Sequence, residues 1–332
     1  MLEKYISKQN LKKLLGRVIK NSTLVAPVRP YGEVLFEDVK FADSIVFDFE
    51  NALNSPKDWV LLNDEDLLET ASPQKKPLVI FGARACDTKA IGLLDKFFAR
   101  TFKDPAYFKK RDSILIITLA CENYGRNCFC GSVDGGPYLT DGFDIQLTDI
   151  GEGYFLEAAS KKAEGFIKRY SGLIKNTGAA QKKLKEDNIK NIKQPEEARF
   201  SLENVYKNIG EEKAPDAFWK DLAQRCQSCG GCLLICPACS CFYVTDKKIS
   251  AKKIARMRSL DACYYEGFSR MAGGYNPVAT RSLMMRRKFY HKLVQQLDEF
   301  NQAGCTGCGR CNEICPGNVN WLESIKRIDK YV

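Results

Sequence analysis

The feature that most constrains this chain is a run of four cysteines that occurs twice. Residues 226–237 read Cys-Gln-Ser-Cys-Gly-Gly-Cys-Leu-Leu-Ile-Cys-Pro, and residues 305–316 read Cys-Thr-Gly-Cys-Gly-Arg-Cys-Asn-Glu-Ile-Cys-Pro. The shared spacing, C-x2-C-x2-C-x3-C-P, is typical of cysteines that hold a pair of [4Fe–4S] clusters. Because the run is complete and repeated, it predicts two such clusters in the C-terminal third of the chain.

The spacing also predicts which cysteines share a cluster. The first three cysteines of a run reach one cube, while the fourth leaves it on a helix and the following proline prevents a return. Glycines at 230, 231, 307 and 309 let the backbone fold closely around the cube. We therefore expect crossed sets, namely Cys226, Cys229 and Cys232 with Cys315, and Cys305, Cys308 and Cys311 with Cys236. Two structural zinc sites are the alternative, although zinc knuckles favour paired cysteines without the Cys-Pro.

Four further cysteines fall near one edge of a predicted sheet. Cys86 follows the apolar run 78–81, and Cys121 follows the apolar run 114–117. If these runs are neighbouring parallel strands, both cysteines lie at the carboxyl edge, where open α/β sheets bind ligands. We predict a third [4Fe–4S] cluster on Cys86, Cys121, Cys128 and Cys130. Zinc on the same four residues, or buried thiols that pack as small apolar groups, are the alternatives.

The other cysteines and the single histidine are expected to have supporting roles. Cys239, Cys241 and Cys263 lie outside the repeated spacing, and we expect them to pack or to hydrogen-bond near a cluster. His291 is expected to be a structural helix residue. A chain with one histidine gives little support to histidine-rich metal sites or to mechanisms that need a histidine base.

Hydrophobic periodicity predicts an α/β fold for the N-terminal part. The runs 78–81 and 114–117 are typical of buried strands, and residues 145–158 read as a hairpin that turns at 151–153. Between the first two strands, apolar residues share one helical face at Ile91, Leu94, Phe98 and Phe102. Asp87 is the expected N-cap of that helix. The order strand, helix, strand favours a parallel pair with a right-handed crossover.

We divide the chain into three regions. Residues 1–160 are predicted to form the α/β domain, and the Lys-, Glu- and Asn-rich residues 161–213 a helical, charged linker. Residues 214–332 are predicted to form a mainly α-helical domain that carries the two clusters. The long stretch between Cys236 and Cys305 is expected to be helical, with an apolar stripe formed by Phe289, Leu293, Val294, Leu297 and Phe300.

Composition and charge narrow the classes of function. The formal charge of +10 counts the cysteines as neutral. Twelve cluster thiolates contribute −12 and three [4Fe–4S]²⁺ cores contribute +6, which brings +10 to +4. Nucleic-acid binding is therefore disfavoured, whereas docking of an acidic partner stays open. Paired Cys-x-x-Cys spacings indicate a reducing cytoplasm, and no apolar run is long enough to span a membrane.

Several stretches outside the ferredoxin runs resemble one family. They are GARACDTKAIGLLDKFF (82–98), CENYGRNCFCGS (121–132), CPACSCF (236–242), DAC (261–263) and MAGGYNPVATRSLMMRRKFYHKL (271–293). The family contains the β subunit of cytoplasmic sulfhydrogenases, which are [NiFe] hydrogenases, and the corresponding iron–sulfur subunit of anaerobic sulfite reductase. The resemblance covers most of the chain and is weakest at 160–213.

The resemblance implies a non-catalytic electron-relay subunit of an anaerobic oxidoreductase complex. In this family a flavoprotein subunit oxidises NAD(P)H, and a separate reductase or hydrogenase subunit carries out the terminal reaction. The sequence agrees, since it contains no G-x-G-x-x-G after a strand and no P-loop. A relay subunit of a flavin complex linked to heterodisulfide reductase and an autonomous iron–sulfur reductase are the alternatives.

Overall fold

The computed structural model describes residues 1–69 and 76–331, so that residues 70–75 and Val332 lie outside the described residues. The strands are β1 (Leu2–Ser7), β2 (Thr23–Val28), β3 (Leu35–Asp38), β4 (Glu65–Asp66), β5 (Leu78–Ala83), β6 (Ile114–Leu119), β7 (Ile145–Asp149), β8 (Gly153–Ala158), β9 (Lys175–Asn176), β10 (Phe242–Ser250) and β11 (Lys253–Leu260). The α-helices are α1 (Lys8–Asn21), α2 (Lys57–Val60), α3 (Ala85–Ala99), α4 (Pro105–Arg111), α5 (Lys161–Arg169), α6 (Ala179–Asn191), α7 (Leu202–Gly210), α8 (Asp216–Arg225), α9 (Gly231–Leu234), α10 (Arg281–Tyr290), α11 (Gln296–Phe300), α12 (Arg310–Glu313) and α13 (Trp321–Asp329).

A mixed sheet forms the centre of the N-terminal part. In the described residues its order is β3-β2-β5-β6-β7-β8-β1-β9. β2, β5, β6 and β7 run parallel to one another, and the outer pairs are antiparallel. The residues of β5 and β6 are all buried, as expected for strands covered on both faces. The predicted parallel pair, β5 and β6, and the predicted hairpin, β7 and β8, are thus confirmed.

The helix after β5 starts earlier than the sequence predicted. α3 begins at Ala85, so Arg84 is its N-cap residue and Asp87 is its third residue. A carboxylate oxygen of Asp87 accepts from the amide of Arg84 at 3.4 Å, which closes the first turn. Phe102 lies beyond the end of α3 and is exposed, so its place on the helical face was wrong. The apolar period continued past the last helical residue and did not mark the stop.

A second core fills the mainly helical C-terminal part. Phe289 of α10 packs against Trp321 of α13, with ring centroids 4.0 Å apart, and against Trp219 of α8 at 5.3 Å. α10 continues through a π-helical turn, His291–Gln295, into α11. The predicted apolar stripe lies on this continuous helix. Its residues Phe289, Leu293 and Val294 are buried.

A β-hairpin interrupts the stretch that the sequence analysis read as helical. β10 and β11 pair antiparallel from Phe242–Leu260 to Ser250–Lys253, and β4 adds two residues beside β11. Nearly every residue of β10 is exposed. A strand whose two faces are both exposed to solvent shows no alternation of apolar and polar residues. That alternation is the signal that would have identified the strand.

Residues 161–213 contribute to both cores. Ala163 and Ile167 of α5 pack in the core of the sheet, whereas Val205 and Ile209 of α7 pack in the second core. The short strand β9 extends the sheet beside β1. This segment therefore joins the two parts through packed side chains as well as through the chain itself.

Candidate metal centres

The first cysteine set surrounds a cavity between the two repeated runs. The cavity is lined by Cys226, Cys229, Cys232 and Cys315, and Cys311 of the second run also reaches it. The amide of Ser228 donates to Cys226 Sγ at 3.4 Å, and the amide of Val319 donates to Cys315 Sγ at 3.2 Å. Amide donors aimed at sulfur are what cluster thiolates require. This set is called site 1.

The second set, site 2, consists of Cys305, Cys308 and Cys311 from the second run and Cys236 from the first. Burial is the main cause that raises the pKa of the three thiols in the second run, with the pKa of Cys308 at about 12. The neighbouring Cys236 raises all three pKa values further. Cys236 thus lies close enough to the second run to affect these pKa values, and Cys315 lines the cavity of the first run. That each crossed set holds one cluster stays a prediction.

The two runs have the same backbone conformation at matching positions. Ser228 and Gly307 have φ values of +54° and +66°, and Gly230 and Gly309 have φ values of +74° and +77°. Each left-handed residue at the second of these positions precedes a short helix, α9 or α12. These turns place the second and third cysteines of each run around one point.

The N-terminal cysteines converge as well, and they form site 3. Cys86 is the second residue of α3, Cys121 follows β6, and one loop supplies the other two; a single cavity is lined by Cys86, Cys121, Cys128 and Cys130. Burial is the largest cause that raises the pKa of each of these thiols. Because burial disfavours the bare thiolate, these groups stay protonated unless a metal centre binds them.

Site 3 lies directly against site 2. Cys308 of site 2 also lines the cavity of site 3, and the amide of Phe129 donates to the carbonyl of Gly307 at 2.9 Å. A Cβ on Gly307 would lie 2.5 Å from Cys130 Cα, and one on Gly309 would lie 2.5 Å from the carbonyl oxygen of Asn127. These two glycines therefore serve the contact between the sites, in addition to the tight turn around a cluster.

A buried ion pair fastens the same contact. The guanidinium of Arg310, between Cys308 and Cys311, donates to both carboxylate oxygens of Asp87 at 2.7 and 3.0 Å. The two side chains are 2% and 0% exposed, and Arg310 Nε donates to the carbonyl of Ala52 at 2.7 Å. Since Asp87 follows Cys86, this pair fixes α3 and the start of site 3 to the second ferredoxin run.

Two buried lysines fit clusters that carry negative charge. Lys288 Nζ lies 3.3 Å from Cys232 Sγ, and Lys292 Nζ lies 3.4 Å from Cys236 Sγ. Burial lowers the pKa of each ammonium group, but the nearby thiolates more than offset this and raise it above its ordinary value. A buried ammonium group needs an anionic partner. Lys288 has this partner at site 1 and Lys292 at site 2, so the residues present fit anionic iron–sulfur clusters.

Replacing Lys288 by methionine is expected to lower the reduction potential of the site 1 cluster by on the order of 100 mV. A positive charge stabilises the reduced, more negative cluster, and a nearby charge contributes about 2–3 kcal/mol at an effective dielectric constant of about 20. For one electron, about 59 mV is a tenfold change in the equilibrium constant. Lys292→Met should act in the same way on site 2, and redox titrations followed by EPR measure both.

The control for this prediction is Lys288→Arg, which retains the charge and should retain most of the potential. A potential that is unchanged in Lys288→Met would contradict the electrostatic role. An equal shift of both clusters in either methionine variant would contradict the assignment of one lysine to each site.

The remaining cysteines form hydrogen bonds to other sulfur atoms. A hydrogen bond from the thiol of Cys239 is the largest cause that lowers the pKa of Cys236, a member of site 2. Cys241 donates likewise to Cys263 and lowers the pKa of Cys263 to about 6. Cys239 thus supports a site 2 sulfur, while Cys241 and Cys263 pair at the base of the β10–β11 hairpin. In residues 1–69 and 76–331, no three Cys, His, Asp or Glu side chains approach closely enough to hold a single metal ion.

The charged residues that support the sites are not among the residues that the sequence predicts as ligands. Lys288 and Lys292 are four residues apart and each precedes a residue of the apolar stripe, so they share a helical face that a cysteine-rich domain would bury. Arg310 lies within a run of predicted ligands, and a charged residue at such a position must be close to the cluster. Both signals are local and readable, but the partner Asp87 is 223 residues away.

Comparison with known proteins agrees with this geometry. Residues 225–319 match the model of the 4Fe-4S dicluster domain family. This domain identifies the chain as an iron–sulfur protein, whose chemistry is electron transfer. The chain is 30% identical over 339 residues to sulfhydrogenase 2 subunit beta of Pyrococcus furiosus, covering 97% of this chain and 94% of that protein. It belongs to the family of sulfhydrogenase beta subunits.

In the part of the chain that the structure describes, no helix is long and apolar enough to cross a membrane.

Proposed function

We propose that this chain is the electron-relay subunit of an anaerobic, cytoplasmic oxidoreductase complex and that it holds three [4Fe–4S] clusters. The observation that carries the proposal is the order of the three sites. Cys308 of site 2 lines the cavity of site 3, and Cys311 of site 2 lines the cavity of site 1. The second ferredoxin run is thus shared by all three sites, which makes one continuous path.

The chemistry of the donors supports the relay. Bound clusters supply one-electron oxidation and reduction. Site 3 offers four cysteines, as do sites 1 and 2, so no iron would be left without a thiolate for a substrate to occupy. This count disfavours the autonomous reductase, and a thiolate-only donor set suits iron–sulfur clusters.

A chain with cluster sites and no nucleotide-binding fingerprint needs partners at both ends of the path. We propose that one partner is a flavoprotein subunit that oxidises NAD(P)H, and that the other is a terminal reductase or hydrogenase subunit. The name of the Pyrococcus furiosus relative, a sulfhydrogenase subunit, supports a complex of this kind. A complex linked to heterodisulfide reductase would use the same path with a different terminal subunit.

Anaerobically purified chain is expected to contain about twelve irons and about twelve sulfides, because each of three sites would hold four of each. It should contain no flavin, and NADH or NADPH alone should not bleach its clusters, since the sequence shows no nucleotide-binding fingerprint. Reduced with dithionite, it should pass electrons to benzyl viologen. Metal analysis, sulfide analysis and visible spectroscopy measure these quantities.

Each alternative has its own result. Eight irons and no zinc would remove the cluster at site 3, and eight irons with one zinc would make site 3 a structural zinc site. Stoichiometric flavin in the isolated chain would contradict the relay-only role. Cys86→Ser tests site 3 alone, and this variant should lose about four irons and keep the other eight.

A further inference from the structure

One loop, residues 265–281, is hydrogen-bonded to the ligand run of site 1 and is called the cover loop. Its first residue, Tyr265, donates its hydroxyl to the carbonyl of Cys229 at 3.2 Å. Its last residue, Arg281, donates to the carbonyl of Cys226 at 3.0 Å. The loop is therefore fastened at both ends to the ligand run of site 1. Among the fifteen cysteines, Cys229, whose carbonyl accepts from Tyr265, is the exposed one.

The cover loop exposes large apolar side chains in an ordered backbone. Tyr265, Phe268, Met271 and Tyr275 are 39%, 37%, 59% and 66% exposed. Its backbone is held by internal bonds, among them Met271 N–H to the carbonyl of Tyr275 at 2.8 Å and the Asn276 side-chain amide to the carbonyl of Glu266 at 3.3 Å. These apolar groups thus point to solvent from a loop that is not free to fold them inward.

The composition of the loop is that of a protein–protein interface. It contains no lysine and no aspartate, one glutamate and two arginines, in a chain in which 28% of residues are charged. Interface centres are enriched in tyrosine, phenylalanine, methionine and arginine, and are depleted of lysine and carboxylates.

Charge indicates the kind of partner. Residues 242–287, which contain the β10–β11 hairpin and the cover loop, hold ten Lys and Arg against three Asp and Glu. This segment therefore accounts for +7 of the formal +10 of the whole chain. Arg258 is buried between Glu65 and Asp104, but Lys247, Lys248 and Lys252 are exposed. Four other cations of the segment already have carboxylate partners, namely Arg256 with Asp246, Lys253 with Glu69, Arg270 with Glu266 and Arg286 with Glu212. The exposed lysines of the hairpin are thus the charges that would attract an acidic protein.

We propose that the cover loop is the docking surface for an acidic one-electron redox protein or subunit that exchanges electrons at site 1. The apolar side chains would fill the centre of the contact. The hairpin lysines, and Arg270 in exchange for its surface partner Glu266, would face the carboxylates of the partner. The inference rests on the proposed relay function. Site 1 is then the end of the electron path that meets this partner, and the partner presents an acidic surface.

The test measures electron transfer from the full-length, cluster-loaded chain to two oxidised acceptors. One acceptor is flavodoxin, an acidic one-electron flavoprotein used as the probe, and the other is benzyl viologen, a small molecule that needs no docking surface. The variants are Met271→Ala/Tyr275→Ala and Arg270→Glu. The matched control is Tyr31→Ala/Phe102→Ala, two residues that are 100% and 69% exposed outside the loop.

In stopped-flow mixing, the loop variants are expected to reduce flavodoxin about tenfold more slowly than the parent chain. The parent rate should fall as salt increases, and the salt dependence should weaken in Arg270→Glu. All variants should reduce benzyl viologen at the parent rate, and the control pair should behave as the parent with both acceptors.

Flavodoxin rates that equal the parent rate in both loop variants would overturn the proposal. An equal loss with benzyl viologen would also overturn it, because the loop would then serve the cluster itself. A parent chain that self-associates through the loop in sedimentation, or that binds anionic phosphatidylserine vesicles through it, would assign the surface to a second copy or to a membrane. If the parent chain reduces neither flavodoxin nor benzyl viologen, the relay function itself is refuted. The two proposals therefore fail in different ways.

Discussion

Replacing Cys315 by serine is expected to perturb the same EPR signal as replacing Cys226, although the two residues lie in different runs. Both line site 1, whose cavity is bounded by Cys229 and Cys232 as well. Replacing Cys236 should perturb the signal that responds to Cys308, because Cys236 lies with the second run at site 2. Each variant should lose up to about four of about twelve irons, since a missing thiolate weakens a four-thiolate cluster.

The comparison uses the four single variants, reduced under identical conditions. Cys241→Ser is the matched control, because Cys241 is close to site 2 and yet hydrogen-bonds to Cys263, which is not a predicted ligand. It should retain its iron and both signals. If Cys315→Ser groups with Cys308→Ser, each run binds its own cluster and crossed ligation is refuted.

Crossed ligation has a consequence for folding. Each cluster would join one run to the end of the other, so the chain between Cys236 and Cys305 would be closed at both ends by metal–ligand bonds. Metal binding then contributes directly to the free energy of folding. Loss of either cluster should therefore increase proteolysis or hydrogen exchange in both runs, including the run that keeps three of its cysteines.

Replacing Arg310 by leucine is expected to destabilise the protein by about 3–5 kcal/mol, because removal of one partner leaves a buried charge without compensation. The abandoned carboxylate of Asp87 is 0% exposed. Thermal unfolding under anaerobic conditions should show a midpoint lower by on the order of 5–10 °C. The iron of site 3 should also be lost more readily than that of site 1, since the pair fixes Cys86 of site 3 next to site 2.

The chain offers a matched control for this prediction. Arg256 forms a bidentate pair with Asp246 at 2.7 and 2.8 Å, but both side chains are 52% exposed. Arg256→Leu removes an ion pair of the same kind that is exposed to solvent. It should change the midpoint of thermal unfolding much less. The double variant Asp87→Asn/Arg310→Leu should recover part of the loss. An effect of Arg310→Leu no larger than that of Arg256→Leu would refute the clamp.

Much of the fold was predictable because its signals are local. The buried strands β5 and β6 are short continuous apolar runs, and the β7–β8 hairpin is an alternating pattern around two glycines. The β10–β11 hairpin was not predictable, because its first strand is exposed on both faces and the apolar pattern that marks a strand comes from burial. The N-cap of α3 was missed by three residues for a related reason. Asp87 is a good N-cap by type, but tertiary contacts with Arg310 assign it another role.

By itself, the sequence predicted the ligand chemistry of this protein. Cysteine spacing is fixed by the order of residues in the chain. In a C-x2-C-x2-C-x3-C-P run, the first three cysteines can reach one cube and the fourth can reach a neighbouring cube. Only the tertiary structure decided how the sites are related. It placed Cys308 at the wall of site 3, paired Asp87 with Arg310, and put one buried lysine beside each ferredoxin site. These contacts join residues far apart in the chain, and packing and charge compensation select them only once the two cores have formed.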